Sequence, residues 1–150
     1  MSTSLLYHAF GIRGYRYVRT EYFAGAVMFY VEQEEEKHCC SACKSAKVVR
    51  RGKVERVLRC VPVGKKRVLI VLEVPRLECR DCGVIRQATI GFAEPRVSYT
   101  RSFARYALDL SRHMTIQDVA EHLSVSWDVI KEIQRGDLQR RFSRPKLKHL

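Results

Sequence analysis

Two C-x-x-C pairs, Cys40-Ser-Ala-Cys43 and Cys79-Arg-Asp-Cys82, lie 35 residues apart and constrain this chain more than any other feature. Each short turn presents two sulfurs to one side, so four thiolates can close a tetrahedral shell around Zn²⁺. The separation exceeds the roughly 15–20 residues of a compact ribbon. Strand-like segments fill the excess: Val48–Arg51, Val54–Val61 and Lys66–Val74, parted near Gly52 and Gly64, with Val84–Ile90 returning as a last strand. Enough strand is present to bring the pairs back together, so the expected cofactor is zinc, held by Cys40, Cys43, Cys79 and Cys82. A shifted register would draw on His38 or Cys39 instead. Cys60 falls mid-strand and reads as a small buried hydrophobe.

Charge points to the partner. The 150 residues carry a formal net charge of +12. Residues 1–36 hold 3 Lys/Arg against 5 Asp/Glu, residues 37–95 hold 14 against 5, and residues 96–150 hold 11 against 6. A zinc ion with four thiolates is itself about −2, which part of the middle surplus balances. The remainder favours a polyanion. No run approaches the roughly 18 apolar residues of a membrane span, and the N-terminus lacks the pattern of a secretory signal. The expectation is a cytoplasmic, nucleoid-associated protein without a membrane partner, in which paired cysteines mean metal more often than disulfide.

The N-terminal stretch reads as a short helix from Ser4 to Phe10, then a hairpin. Tyr15–Phe23 and Ala26–Glu32 alternate with a period of two about an Ala24-Gly25 turn, and Val27, Phe29 and Val31 share a face. Its aromatics read as core rather than as a base-stacking surface. Glu34-Glu35-Glu36 reads as a solvated turn.

After Glu94-Pro95-Arg96 the period changes to about 3.6. Ser98 or Thr100 is placed to cap a helix with Phe103, Ala107, Leu110 and Met114 on one face, and Thr115 with Asp118 opens a second. From Thr115 to Ile133 the apolar spacing is that of a helix-turn-helix: Val119, Ala120 and Leu123 line one helix, Val125 plugs the corner, and Ile130 and Ile133 line the next. The outward residues Ser126, Trp127, Asp128, Lys131, Glu132 and Arg135 then form the DNA-reading edge, with Lys131 and Arg135 placed for phosphates. Trp127 is equally placed to fold over the neighbouring helix, and His122 reads as a surface residue. Gly136 is expected to fray the helix. Beyond it, Arg140, Arg141, Arg144, Lys146 and Lys148 form a basic tail able to add phosphate contacts.

The organisation is therefore α+β, with an N-terminal helix and hairpin over 1–36, a zinc-ribbon-like antiparallel sheet over 37–95, a helix-turn-helix module over 96–142, and a basic tail over 143–150. The order of these parts, with the Ala93-Glu-Pro-Arg96 linker and the Asp118-Val-Ala-Glu-His-Leu-Ser-Val-Ser-Trp-Asp-Val129 segment, resembles the N-terminal half of ISL-type insertion-sequence transposases. The resemblance implies zinc-dependent, sequence-selective binding of double-stranded DNA at the terminal inverted repeats of a mobile element. It implies the same four cysteine ligands and a reading helix from Ser126 to Arg135. It also implies a partner: a second copy, or an intact transposase. In such enzymes a C-terminal domain with three acidic ligands does the chemistry, and no such cluster is legible here, so the expectation is a truncated, non-enzymatic remnant or competitor. Two residues depart from the pattern. Lys44 stands where the finger carries glycine, and Ser124 where many helix-turn-helix motifs do. A stand-alone DNA-binding regulator is the alternative, and a C-x-x-C dithiol redox protein a further one. The latter lacks the βαβ setting such motifs use.

Overall fold

The computed structural model describes residues 3–33 and 38–143. Glu34–Glu36 and the tail cations Arg144, Lys146 and Lys148 lie outside the described residues. In chain order the elements are α1 (Thr3–Phe10), β1 (Tyr15–Phe23), β2 (Ala26–Gln33), β3 (Val48–Val63), β4 (Lys66–Cys79), β5 (Ile85–Gln87), α2 (Arg101–Leu110), α3 (Ile116–Leu123) and α4 (Trp127–Phe142). The chain divides into two compact units, residues 1–102 and residues 103–150.

The first unit is one five-stranded sheet in the order β1-β2-β4-β3, with β5 pairing β4. The α+β class holds. The sheet is mixed, because β2 runs parallel to β4 from Ala26↔Arg67 to Tyr30↔Val71, while the other pairs are antiparallel. The hairpin and the cysteine-bearing strands thus share one sheet. Strand alternation sorts the side chains. Val27, Phe29 and Val31 of β2 join Leu58 and Cys60 of β3 and Val68, Ile70, Leu72 and Val74 of β4 in a single buried cluster. Leu6 and Phe10 of α1 cover it, with Ile12, Tyr15, Ala88, Phe92 and Ala93. Phe10 packs on Phe29 with ring centres 5.6 Å apart, and Tyr15 meets Phe92 edge-on at 4.8 Å.

Gly52 does not end a strand. Its φ of +91 sits in a bulge between Arg50 and Lys53, where the register against β4 shifts. One long β3 therefore replaces the two strands expected there. Cys60 is fully buried, and Thr100 donates its hydroxyl to the Cys60 sulfur at 3.6 Å. The segment ahead of α2 adds to the outer edge of β3: Arg59 donates N–H to Ser98 O, and Thr100 donates to Arg59 O. Burial pushes the Cys60 thiol pKa up, outweighing the Thr100 and Ser102 hydrogen bonds that pull it down, which keeps it neutral.

The second unit is helical. Its buried residues are Phe103, Ala107, Val119, Ala120, Leu123, Ile130 and Ile133. α3 begins at a complete capping box, in which Thr115 accepts from Asp118 N–H at 3.2 Å while the Asp118 carboxylate accepts from Thr115 N–H at 3.2 Å. It ends on Ser124, at φ 52 and ψ 52, with Ser124 N–H donating to Glu121 O and Val125 N–H to Ala120 O. That is a Schellman closure with serine in the left-handed position that glycine usually takes. α4 runs unbroken through Gly136 to Phe142, correcting the expected fraying. Asp137 supplies part of the reason, reaching Arg141 at 2.8 Å and Arg140 at 3.9 Å across one turn.

Candidate metal centre and nucleic-acid interface

The pairing Val48↔Cys79 between β3 and β4 brings the two cysteine turns together. They are copies of one another. Cys40 N–H donates to Ser45 O at 2.8 Å and Lys44 N–H returns to Cys40 O at 3.0 Å; Cys79 N–H donates to Val84 O at 3.0 Å and Gly83 N–H returns to Cys79 O at 2.9 Å. Each turn closes through a left-handed residue, Lys44 at φ 62 and Gly83 at φ 70. Further bonds join the turns: Arg80 N–H to Lys47 O at 2.9 Å, Ser45 Oγ to Asp81 Oδ2 at 2.6 Å, and Lys47 Nζ to Asp81 Oδ1 at 3.4 Å.

The Cys40, Cys43, Cys79 and Cys82 sulfurs all lie within 4.8 Å of one another. Cys40 Sγ is 3.6 Å from Cys82 Sγ and Cys43 Sγ is 3.5 Å from Cys79 Sγ. A tetrahedron with Zn–S bonds of about 2.3 Å has edges of about 3.8 Å, so the donor set fits zinc. A disulfide needs about 2.05 Å. The two pairs converge on one point, as a shared cation requires, rather than forming two separate dithiols. Four thiolates would leave no open position on the metal, the condition of a structural site.

The thiols are unequal. Cys40 is lowered to about 6, first by the Cys43 N–H and then by that of Ala42. Cys79 is lowered by the N–H of Cys82, and then by that of Asp81. For Cys43 the Ser45 N–H is the largest influence and pulls it down, yet the Cys79 sulfur, desolvation and the remaining sulfurs together push it up to about 12. Cys82 is likewise raised, although the Val84 N–H lowers it, because desolvation and the Cys79 and Cys40 sulfurs outweigh that bond. The cluster thus holds its first negative charges readily and its last ones poorly, the electrostatic setting that a divalent cation relieves.

In the helical unit, the first half of α4 has a buried and an exposed side, while Leu138 and Phe142 leave apolar residues exposed in its second half. Ile130 and Ile133 are buried, while Ser126, Trp127, Asp128, Lys131, Glu132 and Arg135 are all exposed. Trp127 is not folded into the core: it is 51 % exposed, and Lys131 Nζ lies 4.8 Å from the centre of its ring. Ser126 opens α4 without a side-chain capping bond. Arg140 and Arg141, both exposed, share the half-buried Asp137 carboxylate. His122 is exposed. Reading the hairpin aromatics as core holds for Tyr15 and Phe29, whereas Tyr22 and Phe23 are 75 % and 74 % exposed. Their place beside the Ala24-Gly25 turn was the available signal, since strand ends at a turn run out of neighbours.

No helix among the described residues is long and apolar enough to cross a membrane. No curated protein and no solved structure matches the chain. Two family models do. Residues 36–82 match the zinc-finger of transposase IS204/IS1001/IS1096/IS1165, and residues 88–135 match the helix-turn-helix domain of transposase family ISL3. The first match brackets the four convergent sulfurs, and the second covers the capped α3, the turn and α4 as far as Arg135. This chain carries the zinc-ribbon and helix-turn-helix domains of the ISL3 transposase family.

Proposed function

We propose that the chain is a zinc-braced, sequence-selective DNA-binding protein whose α4 reads the major groove of terminal inverted repeats of a mobile element. The observation that carries this reading is the division of α4. Ile130 and Ile133 are buried, while Ser126, Trp127, Asp128, Lys131, Glu132 and Arg135 are all exposed. Ser126, Trp127 and Asp128 stand at the N-terminal end, where recognition helices meet base edges; Lys131 and Arg135 suit phosphates. In the same reading zinc shapes the ribbon from Cys40, Cys43, Cys79 and Cys82, and the protein meets the repeats as a dimer, with a second copy or an intact transposase.

A fluorescence-anisotropy titration of the zinc-loaded chain, on an inverted-repeat duplex and on a scrambled duplex of equal length, tests the reading. Tighter binding to the repeat at physiological salt is expected. Equal affinity for both overturns the sequence-selective part.

A further inference from the structure

The parallel pairing of β2 with β4 has a geometric result. Both strands start at the same end of the sheet, so the β1–β2 turn and the β3–β4 turn lie side by side. Arg67 Nη2 donates to Ala24 O at 3.0 Å, and Lys66 Nζ lies 5.9 Å from the centre of the Tyr22 ring. The cysteines are at the opposite end of β4, the length of a 14-residue strand away.

These two turns carry an unusual side-chain set. Tyr22 and Phe23, at 75 % and 74 %, are the most exposed of the large apolar residues among the described ones, and Val63, on the far strand at the same end of the sheet, is 53 % exposed. Lys65, Lys66 and Arg67 are all exposed. No carboxylate occurs in residues 22–31 or 56–72. The nearest, Glu21, is held by Arg19 at 2.8 Å and by the Tyr30 hydroxyl at 2.9 Å. Ala24 and Gly25 both have positive φ, as a tight type I′ turn requires, so the aromatic pair stands on a stiff support.

We propose that this double-turn end is a second DNA site, specific for unpaired bases. Three unopposed cations fit a phosphodiester chain by charge. Tyr22 and Phe23 are consecutive in β1, so their exposed rings lie on opposite faces of the strand, the Tyr22 ring beside Lys66. Each fits a base face, which a duplex hides within its stack and a single strand offers freely. Lysine against the Tyr22 ring keeps the platform cationic without covering it. The site belongs to the first unit and the α4 reading edge to the second, so each can fail without the other.

The test uses the zinc-loaded full chain and labelled oligothymidine of about 20 nucleotides, a length that spans the site size of such platforms, beside a duplex of equal length. The Tyr22→Ser/Phe23→Ser variant weakens oligothymidine binding by about tenfold or more and leaves duplex affinity unchanged. Lys65→Gln/Lys66→Gln weakens it too and lowers its salt dependence, while Tyr22→Trp/Phe23→Trp retains it. Arg135→Gln shows the reverse pattern, losing duplex and keeping oligothymidine. Unchanged oligothymidine affinity in the serine variant overturns the proposal. So does an equal loss on single strand and duplex. All four variants alter exposed side chains, and matching thermal melts establish that each is folded.

Discussion

Lys44 occupies in the first cysteine turn the backbone position that Gly83 occupies in the second. Their φ angles are 62 and 70, and each donates its N–H to the carbonyl of the first cysteine of its pair, at 3.0 and 2.9 Å. The hydrogen-bond pattern therefore demands the left-handed conformation, and only one turn has the residue that adopts it without steric cost. Lys44→Gly is expected to stabilise the zinc-loaded protein by about 1 kcal/mol. Gly83→Ala, with open space around its added methyl but the same φ demand, is expected to cost a similar amount. Thermal melts of both variants against the wild type measure this.

Each of Cys40→Ser, Cys43→Ser, Cys79→Ser and Cys82→Ser is expected to abolish stoichiometric zinc, because a structural site folds with all of its ligands. Cys39→Ser and Cys60→Ser keep the metal, since neither sulfur belongs to the cluster. Zinc released to a chromogenic chelator after unfolding gives the stoichiometry. Retention by Cys40→Ser together with loss by Cys39→Ser would show that the first pair uses the shifted register.

The capping box and the α4 start separate stability from recognition. Thr115→Ala removes the hydroxyl that accepts from Asp118 N–H and donates to the Asp118 carboxylate, leaving only the backbone half of the box, so it is expected to cost about 1 kcal/mol of stability. Ser126→Ala breaks no side-chain capping bond and is expected to leave the melting temperature unchanged while weakening repeat binding. A melt and a titration on the same two proteins decide it. Equal destabilisation by both would place Ser126 in the fold rather than at the bases.

Arg135→Gln and Lys131→Gln are expected to weaken binding to repeat and scrambled duplexes alike, each lowering the slope of log K against log salt by about 1. Asp128→Ala is expected to change preference among repeat sequences instead. Loss of the salt effect in neither cation variant would remove both from the phosphate contacts.

Much of the fold was legible because its signals are local. The C-x-x-C pairs, the period-two runs, and the spacing of Val119, Leu123, Ile130 and Ile133 each act within a few residues. The structure gathers the four sulfurs of the first and buries Val27, Phe29, Val31 and the four helical residues of the others. Gly52 misled because glycine marks a bulge as readily as a strand end, and only the register against β4 tells them apart. Gly136 misled in the same way: its cost of about 1 kcal/mol is absorbed in a helix anchored by Ile130 and Ile133 and by the Asp137 pairs. The parallel meeting of β2 and β4 was not legible at all. It joins residues some 40 positions apart, and nothing in either strand announces its partner.

That pairing also sets the limits of what can be lifted out of the chain. The zinc-finger match starts at residue 36, yet β4 forms hydrogen bonds with β2, and Val27, Phe29 and Val31 fill the same interior as Leu58 and Ile70. A piece cut at residue 36 would keep every zinc ligand while baring one flank of its central strand and the underside of its sheet, an open template for self-association. The portable unit is longer than the recognisable one: for this protein, the metal-binding motif and the smallest piece able to stand alone are different lengths of chain.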